Sequence, residues 1–359
     1  MKTLIRHRKD HREGWAPAFT DAVVLSGGGS LGSAQVGMLR ALFEAGITPD
    51  LYVGASVGAL NATFMAIDPT ARRVDELETL WRSLVRGDVF GGTRRSQLGH
   101  LLRHHPNVYE PDALERLIRR GTGELTNLAD AAAHVEIVTT DMNIGKPAWF
   151  STGDPVAILA ASCCLPGAFP PVRIGGHLHI DGGVLVPVPT QRALDLGAGR
   201  VWVLDVSAGL LEEGSVHEKM SSIEVLFASF AVARAACQRE LITTDPSQAL
   251  HHVTIKSRCD IRDFGRTDEL IAAGHAAATT AIAAAVANEA AMAAVATARR
   301  KLGRFGDARA ARISWHTPTS RRLTTSSTPD VETKEYVGAR WPWPGPGGRH
   351  GGVVTSVAS

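Results

Sequence analysis

A serine between glycines, Gly54-Ala55-Ser56-Val57-Gly58, stands between a short apolar run, Leu51 to Val53, and a helix-like stretch from Ala59 to Ile67. This is the pattern of a nucleophile elbow. Glycines at the flanks permit a turn too tight for side chains, and the hydroxyl is left at the tip, beside the positive end of the next helix. The chemistry that suits it is acyl transfer. A neutral serine hydroxyl is a poor nucleophile and needs a base, and the tetrahedral intermediate needs donors for its oxyanion.

Donors can come from Gly27-Gly28-Gly29-Ser30-Leu31-Gly32, which follows the strand-like Ala22 to Leu25 and precedes helical periodicity at Val36, Leu39, Leu42 and Phe43. Gly27, Gly29 and Gly32 also fit G-x-G-x-x-G, so a dinucleotide loop is one reading. No acidic residue closes a second strand at the usual spacing, and no Lys-Ser/Thr pair follows as in a P-loop. Converging glycine N–H groups at a helix N-terminus give a second reading, an oxyanion hole. A tight turn without chemistry is the third.

For the base, His177, His179, His217, His251, His252, His275 and His316 all follow the elbow, and none lies in the turn a triad histidine would occupy. His177 and His179 alternate on a short strand, and without a second ligand cluster no metal site is expected. Asp181 ends that strand and is followed by Gly182-Gly183, a turn that lets a carboxylate point into a site. It is the better base, against the competing reading of an Asx-turn aspartate. Asp141 reads as a cap or turn residue.

The elements that must position these groups follow a β-α-β-α order, which suggests a parallel sheet covered by helices. Gly46 is a plausible stop for the first helix. Further helices are expected over 72–85, 111–120, 154–162 with Asp154 as cap and Pro155 at the first position, 223–242 and 268–301. Strands are expected over 135–139, 172–174, 178–180 and 201–206. Residues 1–20 read as a flexible basic arm, 21–302 as the catalytic domain, and 303–359 as a low-complexity, disordered tail. The segment 87–107 is a candidate lid; its Arg94, Arg95, Arg103, His104 and His105 read as a solvated basic loop.

The 359 residues carry 38 Lys and Arg against 36 Asp and Glu, a net charge of +2, which argues against bulk nucleic-acid binding. Cys163, Cys164, Cys237 and Cys259 show no C-x-x-C spacing and read as free thiols of a reducing compartment, hence a cytoplasmic location. The basic N-terminus lacks the apolar run of a signal peptide. The alanine-rich Ile271 to Ala298 carries His275, Asn288 and Glu289, and reads as a packed helix rather than a membrane span.

The three motifs in this order, Gly27 to Gly32, Gly54 to Gly58 and Asp181-Gly182-Gly183, resemble the patatin-like phospholipase family, as does Ala161 to Pro171. The resemblance covers roughly residues 20–210. It implies a three-layer α/β/α fold with a mainly parallel central sheet. It also implies a Ser-Asp dyad, with Ser56 as nucleophile, Asp181 as general base, the Gly27 to Gly29 amides as oxyanion hole, and an acyl-enzyme ester on Ser56. No cofactor is implied. The partner is a lipid or fatty acyl ester, with room for peripheral membrane contact. Many members carry Arg or Lys in the glycine motif; Ser30 and Leu31 stand there here, which shifts the expected substrate from phospholipids toward neutral glycerides or other acyl esters. The alternative is a catalytically weak or inactive patatin-like protein that binds lipid or a partner protein.

Overall fold

Small and β-branched apolar residues build the centre of the sheet. In the computed structural model, which describes residues 17–91, 108–207, 249–255 and 260–306 with isolated positions between 225 and 232, β1 (Phe19–Leu25) from Asp21 onward and the whole of β2 (Leu51–Ala55) are buried on both faces. Continuous apolar runs of this kind belong to parallel strands covered on both sides. The expectations for residues 1–16, for 92–107 with its basic side chains, for most of the helix at 223–242, for Cys237 and Cys259, and for residues beyond 306 lie outside the described residues.

β1 pairs in parallel with β2 and with β7 (Ala198–Asp205). β3 (His134–Asp141) continues parallel beyond β2, and β8 (Ala249–Thr254) beyond β7. The remaining strands are antiparallel: β4 (Lys146–Phe150) and β6 (His177–Asp181) to β3, and β5 (Val172–Ile174) to β6. The eight-stranded sheet is therefore mixed, parallel through its centre and antiparallel where β3 to β6 meet.

The helices are α1 (Gly32–Glu44), α2 (Val57–Ile67), α3 (Ala71–Ser83), α4 (Arg86–Val89), α5 (Asp112–Thr122), α6 (Pro155–Ser162), α7 (Thr190–Asp195) and α8 (Thr267–Gly306). Strand alternation assigns the layers. Val23, Leu25 and Tyr52 join a large core with α1, α2, α3, α5, α6 and α8. Their neighbours Ala22, Val24, Leu51 and Val53 join a second core with Ala193 and Leu194 of α7. Both faces are covered, giving three layers.

Sequence signals mark several boundaries. Gly46, at φ 75°, follows the end of α1, and Asp154 caps α6 by accepting the Val156 N–H at 2.9 Å. Three elements have no such signal. β4 is short and contains Pro147, β8 carries His251 and His252 in place of apolar residues, and α7 is six residues long. α8 extends past the expected domain boundary at 302. Its stretch Thr267–Ala291 is long and apolar enough to cross a membrane, and one side of it, Leu270, Ile271, Ala278 and Ile282, is buried in the large core.

Candidate active site

Ser56 has φ 55° and ψ −127° and is the one non-glycine residue with positive φ among those described. It caps the N-terminus of α2 where β2 ends. The turn leaves no space at its flanks: a Cβ on Gly54 would lie 2.5 Å from the Gly58 carbonyl oxygen, and one on Gly58 would lie 2.2 Å from that of Leu25. Ser162 of α6 fixes the turn. Its Oγ accepts the Ser56 N–H at 3.0 Å and donates to the Val138 carbonyl at 2.8 Å. Ser162 lies within the Ala161 to Pro171 stretch, but nothing in its spacing to Ser56, 106 residues away, announces the bond.

The register of β3 brings Asp181 to the same place. Val138 pairs with Ala55 on one edge and Trp149 on the other, while Thr139 pairs with Asp181 and with Ala148. β4 thus occupies one edge throughout. On the other edge β2 runs up to Val138, and β6 comes down from the opposite direction to Thr139. The two strands meet C-terminus to C-terminus, with Ala55 and Asp181 opposite consecutive residues, a step of about 3.4 Å along β3. Paired residues share a face, so Asp181 lies on the face of Thr139, Ile137 and Gly54, the face of the large core. Gly182 closes the junction, since a Cβ there would lie 2.2 Å from the same Val138 carbonyl oxygen.

Asp181 is 2% exposed. Its Oδ1 accepts the Gly183 N–H at 2.7 Å, its own N–H donates to Cys164, and its carbonyl accepts the Thr140 hydroxyl. Its charge is felt by both neighbouring thiols. Burial, reinforced by Asp181, pushes Cys163 well above the ordinary thiol range and Cys164 up to about 12.

The glycine loop leaves the end of β1. Gly29, at φ 59°, opens a short 3-10 turn leading into α1. The Gly27 N–H donates to the Pro187 carbonyl at 3.1 Å. The Gly28 and Gly29 amides have no hydrogen-bond partner among the described residues. Ser30 and Leu31 are buried, and Ser30 ties the loop to the segment before α8 through Asp260 and Ile261. Gly32 opens α1 directly beneath, against Val57 and Trp81.

Behind the loop lies a buried polar network that the sequence does not reveal. Gln35 donates to the carbonyls of Ser26 and Leu204 and accepts from Asn61. Asn61 donates to Gly32 and accepts the Trp81 indole N–H at 2.9 Å. The network joins the ends of β1 and β7 to α1, α2 and α3, and it accounts for every amide group it uses without a charge.

A cleft of about 800 Å³, part of it open to solvent, borders Ser56 and Gly29. Its walls are apolar, with Leu60, Phe64, Leu77, Leu114, Leu117 and Phe264 among them.

The other singled-out residues have structural roles. Asp141 makes an Asx turn to the Asn143 N–H at 2.8 Å, and its hydrogen bond from His177 holds its carboxyl below the usual range. The His179 ring contacts the Thr139 hydroxyl at 2.9 Å, and burial lowers its pKa. Among the described residues no three His, Cys, Asp or Glu side chains cluster as metal ligands.

Residues 23–194 match the family model for patatin-like phospholipase. A patatin-like phospholipase domain-containing protein of Caenorhabditis elegans is 31% identical over 218 residues, covering 56% of this chain and 14% of its own length. A lysophospholipase of Aspergillus terreus is 29% identical over 52% of this chain and 12% of its own. Human patatin-like phospholipase domain-containing protein 6 is 24% identical over 71% of this chain and 20% of its own. This chain therefore spans a fifth or less of these three relatives. Among solved structures, VipD of Legionella pneumophila aligns with 75% of this chain and 67% of its own at 15% identity and a TM-score of 0.41. Through residues 23–194, just under half of its length, the chain is similar to the patatin-like phospholipase family.

Proposed function

We propose that the chain is a serine hydrolase of fatty acyl esters that works through Ser56 and Asp181. The observation that carries this reading is the end-to-end meeting of β2 and β6 on β3, which puts Asp181 beside the strained Ser56 turn at an apolar cleft. Asp181 takes the Ser56 proton, directly or through one water, as Oγ attacks the ester carbonyl. The carbonyl oxygen becomes negative and is met by the Gly28 and Gly29 amides, with Gly27 holding the loop through Pro187. The bond to the alcohol breaks, and the alcohol leaves with the proton from Asp181. Water, activated by Asp181, then hydrolyses the acyl ester on Ser56. The names of the relatives, which include a lysophospholipase, support lipid esters as the substrate class. Buried Ser30 and Leu31 offer no cation to a phosphate in the loop, which favours neutral acyl esters.

The test uses p-nitrophenyl esters of short and long chain. Ser56→Ala and Asp181→Asn should each reduce kcat by at least about a thousandfold, with the folded state retained by circular dichroism. A fluorophosphonate probe should label the native chain and not Ser56→Ala. Full turnover in either variant would refute the dyad.

A further inference from the structure

β3 does not stop where the cleft begins. From Val138, level with the end of β2, it runs on to Asp141, flanked by β4 and β6, and turns back through Met142 to Gly145. The tip lies four or more residues past the level of Ala55, about 13 Å along the strand, at the same end of the sheet as Ser56.

The tip is rigidly built and apolar. Asp141 Oδ1 accepts the Asn143 N–H, and the Asp141 carbonyl accepts that of Gly145, which has φ 64°. The Met142 N–H donates to the Leu178 carbonyl, and the Leu178 N–H donates to Asn143 Oδ1 at 2.8 Å, so the start of β6 braces the turn. Yet Met142 is 51% and Ile144 57% exposed, two of the few large apolar side chains left in water among the described residues. Around them Lys146, Arg173 and His177 are exposed. The one carboxylate of the two hairpins' upper parts, Asp141, is buried and held by His177 at 2.6 Å.

We infer that this hairpin is an interfacial finger that inserts Met142 and Ile144 into an anionic lipid–water surface. Lys146 and Arg173 meet the headgroups, and the cleft mouth is held toward the membrane. Apolar insertion combined with cationic contact is the usual physics of reversible surface binding. A braced turn loses little conformational freedom on insertion. The inference deepens the lipid-hydrolase reading, but its readout does not depend on turnover.

The test sediments the full chain carrying Ser56→Ala with vesicles of equal parts phosphatidylcholine and phosphatidylglycerol, and with phosphatidylcholine alone. Binding should favour the anionic vesicles and weaken with salt. Adding Met142→Asp and Ile144→Asp should cut partitioning by about tenfold or more, and Lys146→Glu with Arg173→Glu should abolish the preference for anionic vesicles. In a chain with native Ser56, the Met142→Asp and Ile144→Asp pair should leave hydrolysis of a soluble short-chain ester unchanged, which also shows that the fold survives. Absence of vesicle binding, or binding indifferent to the Met142 and Ile144 substitutions, overturns the finger. Loss of soluble-ester hydrolysis in Ser56→Ala alongside such a result would leave the hydrolase reading intact.

Discussion

Ser56 occupies a backbone conformation that costs on the order of 1–3 kcal/mol, and such strain persists only when the neighbours over-determine it. Here those neighbours are the backbones that exclude side chains at Gly54 and Gly58, and the Ser162 hydroxyl that serves both the Ser56 N–H and the Val138 carbonyl. Ser162→Ala therefore removes a buried hydrogen bond to the Val138 carbonyl and a half-buried one from the Ser56 N–H. We expect a loss of about 1–3 kcal/mol in denaturant unfolding. We also expect kcat on a short-chain ester to fall by roughly tenfold with KM nearly unchanged, because the turn would lose its position rather than the cleft its shape. An unchanged unfolding midpoint together with native kcat would show that Ser162 is a bystander. The same residue marks a limit of sequence reading. The glycines around Ser56 are legible because a tight turn demands them locally. A hydroxyl reaching across 106 residues leaves no local pattern.

At the scale of elements, two junctions hold the site: the meeting of β2 with β6, and the crossing of α1 with α8. The second rests on two glycines. A Cβ on Gly274 would lie 2.0 Å from the Ala34 carbonyl oxygen, and one on Gly37 would lie 1.9 Å from that of Ile271. The obstacles are backbone atoms, so the helices would have to part. Gly274→Ala should destabilise the fold by about 1–3 kcal/mol through overpacking, read as a lower Tm. Gly87→Ala, on α4 with nothing within 4 Å of the added carbon, is the control and should leave Tm unchanged or raise it slightly. Equal melting of the Gly274→Ala and native chains would refute the tight crossing. The opening strand, glycine loop, α1, β2 and elbow are legible because each carries its own local signal of apolar run, glycine or cap. The antiparallel arm of the sheet is not. β4 is five residues with a proline and no clean alternation, and a strand pairing that sets Asp181 against Thr139 depends on β3 extending beyond its partner β2. Motif order places Asp181 among the candidates. The register explains why it stands beside Ser56.

For the whole molecule, the two faces of the sheet are unequal. Among the described residues α7 alone covers one face, while six helices pack on the other and leave the cleft between them. Composition foretells a core of ordinary size but not where it fails to fill. The cleft arises because α2, α3 and α5 present Leu60, Phe64, Leu80, Leu114 and Leu117 to one another around unfilled space. Ser56 borders that space from the sheet, and Leu117 borders it from α5. An acyl chain attached to Ser56 and long enough to reach α5 would meet Leu117, whereas a short one would not. Leu117 is only partly buried, so a larger side chain can enter the cleft without breaking the core. Leu117→Trp should lower kcat/KM for long-chain p-nitrophenyl esters by about tenfold and leave short-chain esters within about twofold, in line with what a few methylenes are worth in an apolar pocket. Equal loss across chain lengths would mean that the substitution disturbs the catalytic groups. No loss at any length would mean that the acyl chain leaves Ser56 by another route, and the cleft would cease to be the acyl site.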